Sequence, residues 1–222
     1  GREAARAAAA AVRARFDAVV SHMRAHPGDA AVQGMSCREL GDMTRNEPEM
    51  RDLAGAAGAV EAVTAAMRAH AQIMGVQLGA CVALGDMTSG NAENLARTVN
   101  SGAVRFVVAA MRAFPQSEAM QTNAALLTTM TLGYPEIQTR AGNLGAVEVV
   151  VAAMLAHPRS RLVQFQACGA LGAMAQGHAA NLARAGNAGA LEAVNAAMTN
   201  HYGIHRVAAS LVPLLGGIKR KR

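Results

Sequence analysis

The chain has 222 residues, of which 52% are hydrophobic but only 3% aromatic, and tryptophan is absent. Its net charge of +6 rests on nineteen arginines and two lysines against fifteen acids. Alanine is the best helix former and strand-forming runs are scarce, so a sheet is excluded and an all-α chain is expected. A diffuse excess of arginine attracts acidic partners without identifying one. A dedicated nucleic-acid surface would add stacking aromatics to a basic stripe, which sets nucleic acid well behind protein as a partner.

The three cysteines, Cys37, Cys81 and Cys168, form no Cys-x-x-Cys pair. They read as reduced, buried thiols in a reducing intracellular compartment, the cytoplasm or nucleus, with an organelle interior as the alternative. The most apolar run, Ala146 to Ala156, is too short to span a membrane and contains Glu148. No transmembrane segment is expected, which leaves peripheral association with a membrane complex as the only membrane role. The chain opens at Gly1 without an initiator methionine, as a fragment or a processed product would. Its first sixteen residues are Arg-rich and acid-poor like an organelle transit segment but lack the serines, and a capping helix is the expectation.

In chain order, residues 2 to about 26 read as one uninterrupted helix, with Val12, Phe16, Val19, Val20 and Met23 at helical spacing. His26-Pro27-Gly28-Asp29 ends it. A second helix follows from about Ala30 to Thr44, with Val32, Met35, Ser36, Leu40 and Met43 as its buried face. Glu49 to Ala57 is a short helix, and Gly58 then breaks the chain where a sharp change of direction needs a residue without Cβ. Val60 to His70 forms the next helix, lined by Val60, Val63, Ala66 and Met67. Gly75 to Thr88 forms another, with Val76, Ala80, Cys81, Leu84 and Met87 inward.

This scheme of short helix, glycine, helix, turn and helix recurs. Gly-Ala-Val or Gly-Ala-Leu opens copies at Gly58, Gly102, Gly145 and Gly189. A methionine marks the phase at positions 23, 67, 111, 154 and 198, at spacings of 44, 44, 43 and 44. Ten residues after the first four stands a glutamine, Gln33, Gln77, Gln121 and Gln164. Fourteen residues after stands a small residue, Cys37, Cys81, Ala125 and Cys168. The copy opened by Gly102 is one residue short between Gln121 and Met130, and the last copy carries Pro213 near the end of its third helix. A fixed period in the forties is the sign of stacked helical repeats, each of which needs a neighbour to bury its apolar face. One solenoid is expected over residues 1–222, with units at about 1–57, 58–101, 102–144, 145–188 and 189–222.

The pattern resembles the armadillo repeat. Gly-Ala-Val at the break, Gln-x-x-x-Cys/Ala-x-Ala-Leu in the third helix (Gln77 to Leu84), and Asn94-Leu95-Ala96-Arg97 and Asn181-Leu182-Ala183-Arg184 in the short first helices carry the likeness. HEAT repeats are the nearby alternative, and the Gly-Ala-Val break favours armadillo. The copies that read Met-x-Ala-His-Pro are similar to a subgroup found in diverse protist proteins and in the N-terminal solenoid of a large Roco-type kinase. The resemblance implies a right-handed superhelix of three-helix repeats that binds extended peptides along a groove of third helices. Importin-α-like members grip the peptide with a Trp and an Asn four residues on. The corresponding slots here hold Arg38 and Asp42, Val82 and Asp86, and Gly169 and Ala173, with Leu126 and Thr129 nearest in the shortened copy. Both ladders are missing, which argues against nuclear-import cargo.

Other candidate sites carry structural readings. His26, His70, His157 and His201 recur one repeat apart, too far for shared metal ligation, and suit the negative end of a helix. The glutamine slot suits a hydrogen bond between units or a helix cap. Gly85 and Gly172 lie inside helices, where glycine permits close packing. Lys219-Arg220-Lys221-Arg222 reads as a solvated tail rather than an import signal. No P-loop, dinucleotide fingerprint, His-Glu-x-x-His or Gly-x-Ser-x-Gly occurs, so no cofactor, metal or catalytic residue is assigned. The expected function is a non-catalytic protein-interaction scaffold, contacting its partner through Arg38, Asp42, Val82, Asp86, Leu126, Thr129 and Ala173. A structural accessory subunit, docked through apolar groups such as Leu211, Leu214 and Leu215, and a nucleic-acid-binding solenoid are the alternatives.

Overall fold

The computed structural model describes residues 2–123 and 130–217. Among the described residues there are fifteen helices and no strand. The chain divides into two compact units, Gly1–Phe106 and Val107–Arg222, and the division falls inside a helix.

The first unit holds α1 (Arg2–Ala25), α2 (Ala30–Thr44), α3 (Pro48–Ala56), α4 (Ala59–Ala69), α5 (Met74–Thr88), α6 (Ala92–Asn100) and the start of α7 (Ala103–Ala113). Helices of like rank stack, α1 on α4, α2 on α5 and α3 on α6. The second unit holds the rest of α7, α8 (Glu118–Gln121), α9 (Pro135–Asn143), α10 (Ala146–Ala156), α11 (Arg161–Ala175), α12 (Ala179–Asn187), α13 (Ala190–Asn200), α14 (His205–Ala208) and α15 (Leu211–Gly216). Here α9 stacks on α12, α10 on α13, and α11 on α14 and α15. Both units are therefore built from armadillo-like three-helix repeats, in an all-α solenoid fold.

The break glycines do what their lack of Cβ predicts. Gly58, Gly145 and Gly189 take φ values of 77°, 79° and 83°, in the left-handed region that favours glycine. At Gly145 the chain turns by 66° between α9 and α10. The phase-marking methionines fill the core. Met23, Met67, Met111 and Met154 are buried, and Met198 is half-buried. Each full burial stabilises by about 1.5–3 kcal/mol.

Three expectations are corrected. Met35 is 64% exposed, because α2 meets α5 through Gly34, Cys37 and Gly41 and turns Met35 outward. A Cβ on Gly41 would stand 3.3 Å from the Ala83 Cα, whereas one on Gly85 would meet nothing within 4 Å. Close packing thus belongs to Gly41 and Gly79 rather than to Gly85 or Gly172. The last third helix is split into α14 and α15, because Pro213 has no N–H to donate to the preceding turn. α15 buries Leu211 and Leu215 and leaves only Leu214 of the three leucines exposed.

The short first helices come in two alternating kinds. α3 and α9 begin at Pro48 and Pro135 and carry Gly55 and Gly142 in their interior. α6 and α12 follow the capping residues Asn91 and His178 and carry Asn94 and Asn181. The Asn94 amide donates to the carbonyls of Arg51 (2.7 Å) and Met87 (3.0 Å). The Asn181 amide donates to those of Gln138 (2.9 Å) and Met174 (2.9 Å). A Cβ on Gly55 or Gly142 would overlap Oδ1 of the asparagine stacked on it. The structural period is thus a pair of repeats.

Gly55→Ala adds helix propensity yet should destabilise by about 1–3 kcal/mol, because its methyl displaces Asn94. Gly85→Ala should stabilise by up to about 1 kcal/mol. Urea denaturation of the two variants checks the contrast, and a stabilised Gly55→Ala would contradict the packing described.

Candidate functional site

The recurring polar residues are consumed by the scaffold. Gln33 donates to the carbonyls of Met23 (2.8 Å) and His26 (2.9 Å), and Gln77 to those of Met67 (2.8 Å) and His70 (2.9 Å). Gln121 repeats this on Met111 and Phe114, and Gln164 on Met154 and His157. All four amides are buried, and each ties a third helix to the end of the second helix before it.

The histidine slot does more than face a helix end. His70, His157 and His201 each direct Nε2 at a proline carbonyl one repeat upstream, Pro27, Pro115 and Pro158, at 2.8, 2.8 and 2.9 Å. A carbonyl only accepts, so Nε2 carries the proton. These imidazoles bond one repeat to the next.

The cysteines lie where expected, buried among the third helices. Burial pushes the thiols of Cys37 and Cys81 up to about 12 and that of Cys168 up to about 11. They are small hydrophobes, with almost no thiolate near neutral pH. Among the described residues no group of three or more His, Cys, Asp or Glu side chains is placed to hold a metal ion. No helix there is long and apolar enough to cross a membrane.

The expected contact residues lie on the third helices. In the first unit these are α2 and α5. Arg38 is exposed and lays its stem against Gly79, and Val82 is 38% exposed. Asp42 and Asp86 share one cation. Arg45 Nη1 lies 3.1 Å from Asp42 Oδ1, and Arg45 Nε lies 3.2 Å from Asp86 Oδ2. One guanidinium offsets one of the two negative charges, each bond contributing about 0–1 kcal/mol at an exposed position. The trio keeps a net negative charge.

In the second unit α11 is the third helix concerned. Ala173 is 3% exposed, and its carbonyl accepts from the Gln138 amide at 2.6 Å, so it belongs to the packing against α9 and not to the open surface. On its outer side Leu162 is 54% and Phe165 41% exposed, followed by half-buried Gly169 and Gly172 and exposed Gln176. None of these carries a charge. Leu126 and Thr129 lie outside the described residues. Leu162 and Phe165 were not among the expected contact residues; their i, i+3 relation, opposite Val163, Ala167, Leu171 and Met174, is what marks their exposed position in the sequence.

Several arginines are committed internally. Arg97 bridges Glu61 and Glu93, Arg184 bonds Glu148 and Asn143, and Arg51 and Arg112 donate to the carbonyls of Ser89 and Leu144. The excess positive charge is not gathered into one stripe by these residues.

With this geometry in hand, the comparisons agree on the fold. No protein-family model matches the chain, and no curated protein sequence matches it. A designed armadillo repeat protein is similar at a TM-score of 0.60 and 17% identity, over 90% of this chain and 99% of its own. Two crystal structures of engineered proteins are similar at TM-scores of 0.61 and 0.58, both at 20% identity. They cover 91% and 90% of this chain, and 96% and 98% of their own. The chain thus has an armadillo-like repeat fold.

The elevated thiols make stability depend on pH. The folded state keeps protons that an unfolded cysteine, ionising near 8.5, gives up. Their contribution is complete below that value and is lost as pH rises toward 11–12. Urea midpoints should fall above about pH 9 in the native chain and fall less in a Cys37→Ala/Cys81→Ala/Cys168→Ala variant. At pH 8 a thiol-specific reagent should label the folded chain slowly and the urea-unfolded chain at once.

Proposed function

We propose that the chain is a non-catalytic scaffold that holds a partner polypeptide on the exposed faces of its third helices. The observation that carries this reading is the α11 stripe. A leucine and a phenylalanine stay in water on a helix whose opposite side already fills the core. Large apolar groups left together on a surface mark a place where another molecule removes them from water. The α2 and α5 face adds Met35, Arg38 and Val82 in the first unit.

A polypeptide is the occupant this chemistry suits. Leu162 and Phe165 offer no charge to a phosphate backbone, and Phe165 is the one aromatic group exposed on α11. The polar residues that might have done chemistry are already spent on holding helices together. Buried reduced thiols suit a reducing compartment, where such a scaffold would work. The accessory-subunit alternative drew on exposed leucines at the last repeat, and two of those three are buried.

The test uses peptides selected from a displayed random library for binding to the intact chain. Leu162→Asp/Phe165→Asp should weaken the selected peptides at least tenfold, about 1.4 kcal/mol, while leaving helicity unchanged. Leu155→Asp, on an exposed residue of the second helix α10, should bind like the parent. Equal binding by parent and double variant would remove the third-helix reading.

A further inference from the structure

His22 breaks the repeat. The equivalent position in every later copy is an alanine, Ala66, Ala110, Ala153 and Ala197, each buried to within 2%. His22 is exposed on α1 and stands four residues before His26, so both side chains project from one helix face. Their rings lie with centroids 4.5 Å apart.

The second feature is the state of His26. Its Nδ1 lies 3.0 Å from the His22 carbonyl, which only accepts, so Nδ1 carries the proton and Nε2 carries the lone pair. A ligating imidazole is commonly oriented and made more basic by this bond from its other nitrogen to a backbone carbonyl. The remaining members of the slot have the reverse arrangement, with Nε2 protonated and spent on a proline carbonyl. Only His26, at the slot that has an exposed histidine one turn back, presents a free Nε2. Two metal–nitrogen bonds of about 2.0–2.1 Å require ring nitrogens about 3 Å apart, and two exposed rings with centroids 4.5 Å apart reach that spacing by side-chain rotation. The carboxylate of Asp29 stands on the same turn. It is held below its usual range first by the Val32 N–H, with the Ala31 N–H and the two imidazoles acting in the same direction.

We propose that His22 and His26 form a two-imidazole chelate for a divalent transition metal on the exposed face of α1. Two histidines leave the other coordination positions to water, which makes a surface site rather than a closed structural one. Imidazole suits copper, nickel and zinc, and affinity should follow the order in which Cu2+ exceeds both Ni2+ and Zn2+. The buried thiols do not compete.

The test titrates the intact chain with Cu2+, Ni2+ and Zn2+ separately by calorimetry, with the copper form read by electron paramagnetic resonance. One ion per chain and a nitrogen-coupled copper spectrum are expected. His22→Ala installs the residue of the later repeats and so keeps the fold. It should weaken binding by more than about tenfold, as should His26→Ala. His205→Ala, at another exposed histidine, should not change it. A failure to take up any of the three ions, or unchanged affinity in His22→Ala with helicity intact, would overturn the proposal. Adding saturating Ni2+ during denaturation gives a second reading, a stabilisation present in the parent and absent from His22→Ala.

Discussion

Everything else in this fold depends on one buried amide per repeat. A glutamine near the start of a third helix donates both of its protons to carbonyls at the end of the second helix. The methionine carbonyl lies in the last turn of its helix, which leaves acceptors without a helical partner, and left buried and unpaired it would cost about 1–3 kcal/mol. The second carbonyl also accepts a backbone N–H from the turn, as His70 does from Ile73 and His157 from Ser160. One side chain thus ties the start of one helix to the end of another. Gln33, Gln77, Gln121 and Gln164 make the same pair of bonds. The methionine and valine faces then meet their neighbours in register, and the greasy flank of each repeat finds cover.

Bonds between repeats obey a longer rhythm. Asn94 and Asn181 reach back to the preceding short helix, and each needs a glycine where it lands. Gly55 and Gly142 supply the space. The residues that follow fit the same two-step order, since Asn91 bonds Asp52 and His178 bonds Thr139 at equivalent places. Alternate contacts therefore use different chemistry at one architectural position. An array of identical modules would have used one solution throughout. Among the described residues each compact unit has one contact of the asparagine kind, while the histidine-to-proline kind occurs once in the first unit and twice in the second.

The fold was legible in the sequence because its signal is repeated. A single apolar run is ambiguous, but Met23, Met67, Met111 and Met154 vote for the same register. α2 lies where the pattern places it, and α3, α4 and α5 begin one residue earlier than expected. The bonds between modules were less legible, since an amide forty-three residues from its acceptor leaves no local trace. The glutamines could be recognised as a slot before their partners were known. Gly55 and Gly142 gave no warning, because a glycine within a helix has the same appearance whether it clears an asparagine or faces water, as Gly85 does. The exposed face was the least legible. Ala173 was assigned to it by analogy with ladder positions that this chain lacks, and the helix turns that alanine into the packing against α9.

The distribution of polar groups also limits what kind of recognition is open to this chain. Amides, imidazoles and several guanidiniums are held by carbonyls and carboxylates of the chain itself, and displacing them would unstitch the repeats. Asp42 and Asp86 share Arg45 and keep one net negative charge, which water screens at these exposed positions. Burying Phe165 and Leu162 costs the fold nothing and removes exposed carbon from water at about 25 cal/mol per Å2. On the proposed reading, affinity on the α11 face comes mainly from apolar area, because Leu162 and Phe165 give up no internal bond when they are covered.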